Sequence, residues 1–267
     1  MIVTNIRFLS RGTSCGSVLM VVWLLGSVAG CSNAPSIADA YNDMPHGNAA
    51  VAYAHLGREY LLRGSFDFAE ARLRHAIQLN PKLAAAHHDL AVVCTKLGNW
   101  GEADKEYRIA LELTPNDPTA IYNYATLLYN QGHYPEAEVR LLAVVANPQA
   151  DTHPQSYEAL GWISLKKNDT AKAEGYFRQA LDLSPNMPGA LLDLAKIYLD
   201  SKRLDLAQSS FQHYQELVHD TPEGLWFGIQ MARAQENGAL ATDYSQRLRL
   251  KFPDSEQARQ LYAERHH

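Results

Sequence analysis

Apolar residues along this chain recur at spacings of three and four residues, and the whole pattern returns every 34 residues. Such spacings place side chains on one face of an α-helix, so each copy of the pattern predicts a pair of amphipathic helices. A proline near the end of most copies predicts where the second helix stops, because proline removes a backbone donor and clashes with the preceding turn. The repeating positions of the first copy are Tyr53, Leu56, Gly57, Tyr60, Ala69, Leu73, Ala76 and Pro81.

These residue types and intervals match the tetratricopeptide signature, in which each repeat is a helical hairpin. The frame slips by two residues within 147–154 and then resumes. Because stacked repeats bury a core that no single repeat can bury, the sequence predicts an all-α protein. Its predicted fold is a right-handed superhelix (solenoid) of six tetratricopeptide helical hairpins plus a C-terminal capping helix at 254–265. The predicted domain covers 49–267, with repeats at 50–83, 84–117, 118–151, 154–187, 188–221 and 222–255.

The N-terminal segment has the features of a secretory signal. Arg7 and Arg11 precede an apolar run over 18–29, which is shorter than the roughly 20 residues that a membrane-spanning helix needs. This arrangement predicts a lipoprotein signal peptide over 1–30. The run ends in VAGC, which resembles a bacterial lipobox, so Cys31 is predicted to be acylated and to become the first mature residue. An ordinary signal cleaved elsewhere and an uncleaved anchor are the alternatives, and both leave Cys31 without a role.

The sequence predicts an acylated N-terminus and flexible tether over 31–48, where Pro35, Pro45 and Gly47 accompany little apolar periodicity. Acyl chains on Cys31 would anchor the protein to the membrane, since each buried methylene contributes about 0.8 kcal/mol. Ser32 rather than aspartate follows the cysteine. By resemblance to Gram-negative lipoproteins, this residue implies sorting to the outer membrane, facing the periplasm.

Charge and motif content argue against several classes of function. Removing Arg7 and Arg11 with the signal reduces the 24 basic residues to 22, against 29 acidic residues, so the formal charge becomes −7 and nucleic acid is not expected as a partner. The sequence contains no GxSxG, P-loop or GxGxxG motif, so no catalytic residue, cofactor or small-molecule substrate is predicted and the chain is not expected to be an enzyme. The 11 histidines show no metal-ligand spacing, and no metal site is predicted. Cys94 lies at a packing position and is predicted to be a small buried hydrophobe.

A partner-binding surface is predicted on the concave groove. In tetratricopeptide arrays this groove is lined mainly by positions 2, 5, 9, 12 and 13 of each first helix. Those positions are apolar with a basic edge in repeats 1 and 2 and aromatic in repeats 3 and 4, and exposed aromatics often anchor interfaces. A register error of one residue would instead place Tyr122 or Trp162 in the core. The predicted partner-binding residues are Val51, Arg58, Leu61, Leu62, His88, Val92, Tyr122, Tyr129 and Trp162.

Across about 50–265 the sequence resembles the pilotins, the lipoproteins of type IV pilus biogenesis that form the PilF/PilW family. The resemblance rests on the linker at 147–154 and on YNY at 122–124, NQGHYPEA at 130–137, AEGYF at 173–177, LWFGI at 225–229 and RLRLKFPDS at 247–255. It implies a lipid-anchored protein that binds subunits of the outer-membrane secretin and promotes their localisation and multimerisation. An outer-membrane adaptor that scaffolds another envelope assembly machine is the alternative. Repeat 5 lacks the usual turn glycine and repeat 6 is degenerate, so the C-terminal surface is expected to diverge.

Overall fold

The computed structural model describes residues 46–264, with side chains described from Ala49 onward. The predicted signal peptide, Cys31 and most of the predicted tether lie outside this range. Within the range the chain forms thirteen α-helices and no β-strand, and none of these helices is long and apolar enough to cross a membrane. The helices are α1 (His46–Leu62), α2 (Phe66–Leu79), α3 (Ala84–Leu97), α4 (Trp100–Leu113), α5 (Pro118–Asn130), α6 (Tyr134–Val145), α7 (His153–Lys166), α8 (Thr170–Leu183), α9 (Pro188–Asp200), α10 (Leu204–Leu217), α11 (Pro222–Ala234), α12 (Gly238–Lys251) and α13 (Glu256–Ala263).

Consecutive helices pair as six hairpins, from α1 with α2 to α11 with α12, and α13 packs against the last hairpin. The predicted all-α solenoid is confirmed. Helices α3, α5, α9 and α11 begin at the first residues of their predicted repeats, and α7 begins one residue before its predicted repeat. The odd-numbered helices α1 to α11 are the first helices of the six repeats.

The start of α1 differs from the prediction. This helix begins at His46, so the last three residues of the predicted tether, 46–48, are helical. The glycine at position 47 disfavours a helix by about 1 kcal/mol relative to alanine, which is why the sequence suggested a tether there. Burial of Ala49, Ala50 and Tyr53 favours the longer helix, because tertiary packing usually decides helix length over intrinsic propensity.

The turn inside each hairpin uses one residue in the left-handed conformation. Three of these residues are glycines and one is asparagine, which are the residue types that adopt this conformation most readily, whereas Lys202 and Glu236 are not. A lysine or glutamate in this conformation costs about 1 kcal/mol or more, so the hairpin packing must impose the turn on the last two repeats. The residues are Gly64 (φ 73°), Gly98 (φ 79°), Gly132 (φ 81°), Asn168 (φ 59°), Lys202 (φ 59°) and Glu236 (φ 56°).

The two helices of a hairpin touch closely at one position of the repeat. A Cβ atom on Gly57 would lie 2.6 Å from Leu73 Cγ, and one on Gly161 would lie 2.5 Å from Phe177 Cε1. Both distances are too short for carbon atoms that are not bonded to each other. Glycine therefore lets a large side chain of the second helix lie directly on the backbone of the first.

The buried apolar residues form two clusters that meet within repeat 4. Leu160 and Ile163 on α7 belong to the cluster of repeats 1 to 3, whereas Phe177 on α8 belongs to the cluster of repeats 4 to 6. The two-residue slip of the repeat predicts a division into two triplets at the linker 147–154. The core divides one helix later, because α7 packs back onto repeat 3 across that linker.

Candidate functional site: a groove along the first helices

The first helices of repeats 1 to 3 border a cavity of about 440 Å³. Its apolar side is formed by Leu61, Leu62 and Val92, and its polar side includes Arg58 and His88. Leu62, the last residue of α1, is 75% exposed. The structure thus brings together five of the predicted partner-binding residues, and we call this surface the apolar depression.

A smaller hollow of about 50 Å³ lies on the other side of Arg58. Val51, which is 41% exposed, lines it together with Ala54 and Leu83. Arg58 therefore separates two apolar hollows on the surface of repeats 1 and 2. Its side chain is 46% exposed, so it remains accessible to a bound partner.

A chain of hydrogen bonds fixes the polar side of the apolar depression. Arg58 donates to Asp89 through Nε at 2.8 Å and through Nη2 at 3.3 Å. His88 Nδ1 lies 3.2 Å from the same carboxylate, and its Nε2 lies 2.9 Å from Asn123 Nδ2. Because an amide nitrogen can only donate, His88 accepts at Nε2 and donates to Asp89 at Nδ1. This chain ties α1, α3 and α5 together and leaves no choice of tautomer for His88.

The remaining predicted groove residues form a second region. Tyr122, Tyr129 and Trp162 are partly buried and pack on the edge of the core, with the rings of Tyr129 and Trp162 6.5 Å apart. Burial raises the pKa of both tyrosine hydroxyls above the usual value. Trp162 Nε1 donates to Asp193 Oδ2 at 2.8 Å. The nine predicted residues therefore lie in two chemically different parts of the groove.

One inter-repeat contact occurs in both parts. The side chain at position 9 of one repeat donates a hydrogen bond to the carboxylate at position 6 of the next repeat, 31 residues later. Arg58 bonds to Asp89 in this way, and Trp162 bonds to Asp193. Asp89, Asn123 and Asp193 are not among the predicted partner-binding residues, because position 6 is not one of the groove positions on which that prediction rests. A signal existed for Asp89, which is a charged residue within an otherwise apolar helix face.

Reactive chemistry in the described part of the chain is limited. Cys94 is fully buried, and burial raises the pKa of its thiol to about 12, so the predicted packing role is confirmed. Within residues 49–264, no group of three histidine, cysteine, aspartate or glutamate side chains is arranged to hold a metal ion.

Comparison with known proteins agrees with the fold. Family models described as "Tetratricopeptide repeat" match residues 84–117, 122–188 and 164–225. The type IV pilus assembly protein PilF of Pseudomonas aeruginosa is 30% identical over 247 residues, covering 92% of this chain and 96% of PilF.

Two solved structures extend this likeness. The structure of Pseudomonas aeruginosa PilF is 31% identical, with a TM-score of 0.74 over 82% of this chain and 99% of that one. The crystal structure of PilW, described as a widely conserved type IV pilus biogenesis factor, is 25% identical, with a TM-score of 0.72 over 80% of this chain and 98% of that one. The shared repeats, the full-length alignment and the fold together show that this chain belongs to the tetratricopeptide-repeat family of the type IV pilus proteins PilF and PilW.

Proposed function

We propose that this protein is an outer-membrane lipoprotein that binds secretin subunits and promotes their outer-membrane localisation and multimerisation for type IV pilus assembly. The observation that carries the proposal is the alignment with PilF, which spans 96% of that protein and 92% of this chain. A scaffold role also fits the groove, which offers binding surface without catalytic geometry.

The apolar depression is the proposed contact for the secretin segment. Leu62 and its neighbours expose apolar surface beside Arg58, and exposed apolar patches rimmed by polar groups mark interaction sites. Burial of a leucine side chain in an interface contributes about 1.5–3 kcal/mol, so two leucines would supply a large share of the affinity.

The proposed anchor is a lipid on Cys31, which lies outside the described residues. The lipobox-like sequence VAGC before Ser32 supports acylation. Acyl chains would hold the protein at the outer membrane, facing the periplasm, while the groove binds secretin. Localisation and binding would then depend on separate parts of the chain.

Deletion of the gene tests the function as a whole. We expect the deletion strain to lose heat-resistant secretin multimers and twitching motility, and the full-length wild-type gene to restore both. Cys31→Ala should leave secretin misplaced while the purified variant still captures it. Intact multimers in the deletion strain would refute the proposal, and loss of a different envelope assembly in that strain would favour the adaptor alternative.

A paired substitution tests the apolar depression. Leu61→Ser with Leu62→Ser should lower secretin capture by about a hundredfold, which corresponds to about 2.7 kcal/mol of lost apolar burial. Val139→Ser with Leu142→Ser is the matched control, because both residues are exposed on α6 outside the depression. Circular dichroism of both variants checks that the helices remain. Equal capture by the two variants would place the contact elsewhere.

A further inference from the structure

The middle of the groove combines aromatic rings with carboxylates from three consecutive repeats. We call this surface the aromatic–carboxylate cradle, and it consists of Tyr122, Tyr129, Glu158, Trp162 and Asp193. The rings of Tyr129 and Trp162 lie at an interplanar angle of 40°, and Trp162 bonds to Asp193. The five residues come from α5, α7 and α9, so the cradle exists only in the folded array.

Glu158 is the unusual member of the cradle. The backbone N–H of Ala190, in the first turn of α9, favours the charged form of Glu158, although burial outweighs this effect and raises the pKa of the carboxyl. A Cβ atom on Gly189 would lie 2.5 Å from Glu158 Oε1 and 3.3 Å from Trp162 Cζ2, so the absence of a side chain there makes room for both groups. Glu158 is partly buried, and no basic side chain among residues 49–264 forms an ion pair with it.

The carboxylates of the cradle therefore carry more negative charge than the nearby cation balances. Asp193 accepts from the neutral indole of Trp162 and from Lys196 Nζ at 2.8 Å, so one cation faces two carboxylates. Burial, followed by a smaller repulsion from Asp193, raises the pKa of the Glu158 carboxyl. A partly buried carboxylate without a cation is costly to keep ionised, and a ligand cation would remove that cost.

We propose that the cradle binds an arginine or lysine side chain of the segment that occupies the groove. The aromatic faces of Tyr122, Tyr129 and Trp162 would hold the cation, and Glu158 would pair with it. Cations bind aromatic faces within about 6 Å of the ring centroid, and a nearby carboxylate adds to that attraction. This inference rests on the proposed function, and it adds that the secretin segment carries a basic residue on the side away from the apolar depression.

The cradle also gives the bound segment a direction. An apolar part of the segment would lie at repeats 1 and 2, and its basic residue would lie at repeats 3 to 5. Reversing the segment would place the cation against the apolar side of the depression, where no unpaired carboxylate faces it, and would leave Glu158 unpaired. A lower affinity for the reversed segment would make binding specific for one direction.

Capture of the cognate secretin by the full-length protein tests the inference. Glu158→Gln keeps the size and the acceptor for Ala190 while removing the charge, and we expect about a tenfold loss of capture. Glu216→Gln, at an exposed position of α10, is the control and should leave capture unchanged. The loss should shrink as salt is raised, because an ion pair at a partly exposed site is screened.

A partner-side substitution identifies the cation. Each arginine and lysine of the captured secretin region is replaced by glutamine, and one replacement should weaken capture by wild-type protein but cause no further loss with Glu158→Gln. If wild-type protein captures secretin and Glu158→Gln matches Glu216→Gln, the inference is wrong and the proposed function stands. If wild-type protein captures no secretin, the proposed function falls and this inference falls with it.

Discussion

The two carboxylates at position 6 of repeats 2 and 5 differ in what they leave for a partner. Asp89 is buried and bonded to the cation of Arg58, so its charge is balanced within the protein. Asp193 is bonded to the neutral indole of Trp162 and to Lys196, whereas nearby Glu158 forms no ion pair among residues 49–264. The same inter-repeat contact thus produces a balanced, apolar surface at one end of the groove and an acidic, aromatic surface in the middle. The residue at position 9, which is Arg58 in repeat 1 and Trp162 in repeat 4, determines which of these two surfaces is present.

The largest expected effect on the free energy of unfolding comes from removing the Arg58–Asp89 contact and the Trp162–Asp193 contact in separate variants. Arg58→Met leaves Asp89 buried without its cation and should cost about 2 kcal/mol of unfolding free energy, a value discounted because Arg58 is nearly half exposed. Trp162→Phe removes one hydrogen bond from Asp193, which keeps Lys196, and should cost about 1 kcal/mol. Urea unfolding of both variants measures the difference. Equal costs, or the reverse order, would contradict the claim that Asp89 depends on its partner more than Asp193 does.

An intermediate effect concerns the pH dependence of Glu158. Because the folded state raises the pKa of this carboxyl, folding binds a proton, and the wild-type array loses stability as pH rises from the ordinary carboxyl pKa of 4.5 through the folded pKa. Glu158→Gln abolishes this proton uptake, so the variant should be more stable than wild type at pH 8 and should match it at pH 4. Urea unfolding at both pH values measures the gap. A variant less stable than wild type at pH 8 would show that Glu158 stabilises the fold.

The smallest expected effect concerns the turn residues at equivalent positions of repeats 5 and 2, Lys202 and Gly98. Lys202→Gly should raise the unfolding free energy by about 0.5–1 kcal/mol, because glycine adopts the left-handed conformation without strain. Gly98→Ala should lower it by about 1 kcal/mol at the equivalent turn of repeat 2. Thermal unfolding of both variants provides the measurement. A loss of stability in Lys202→Gly would mean that contacts of the lysine side chain outweigh its backbone strain.

The sequence predicted most of the fold, because the residues within each 34-residue repeat are sufficient to define its helical hairpin. Large residues such as Leu73 and small ones such as Gly57 recur at set positions, and proline marks the helix ends, so the hairpin boundaries can be found without tertiary information. Lys202 and Glu236 adopt the turn conformation although neither residue type favours it. Their backbone angles follow from packing with the neighbouring helices.

The sequence predicted less of the candidate site. It located Arg58, Leu62 and Trp162 on the groove, because standard positions of the repeat face that way. It did not indicate that Asp89 neutralises Arg58 or that Asp193 orients Trp162, since those contacts cross from one repeat to the next. Register between repeats depends on helix packing angles, which a single repeat does not specify.

Site-specific cross-linking in cells tests the central claim most directly. A photoreactive phenylalanine analogue is placed at Leu62, 75% exposed in the apolar depression, or at Val139, 69% exposed on α6 outside it. The account predicts that irradiation links secretin to the Leu62 variant and not to the Val139 variant. Secretin linked equally to both positions, or to neither, would contradict it.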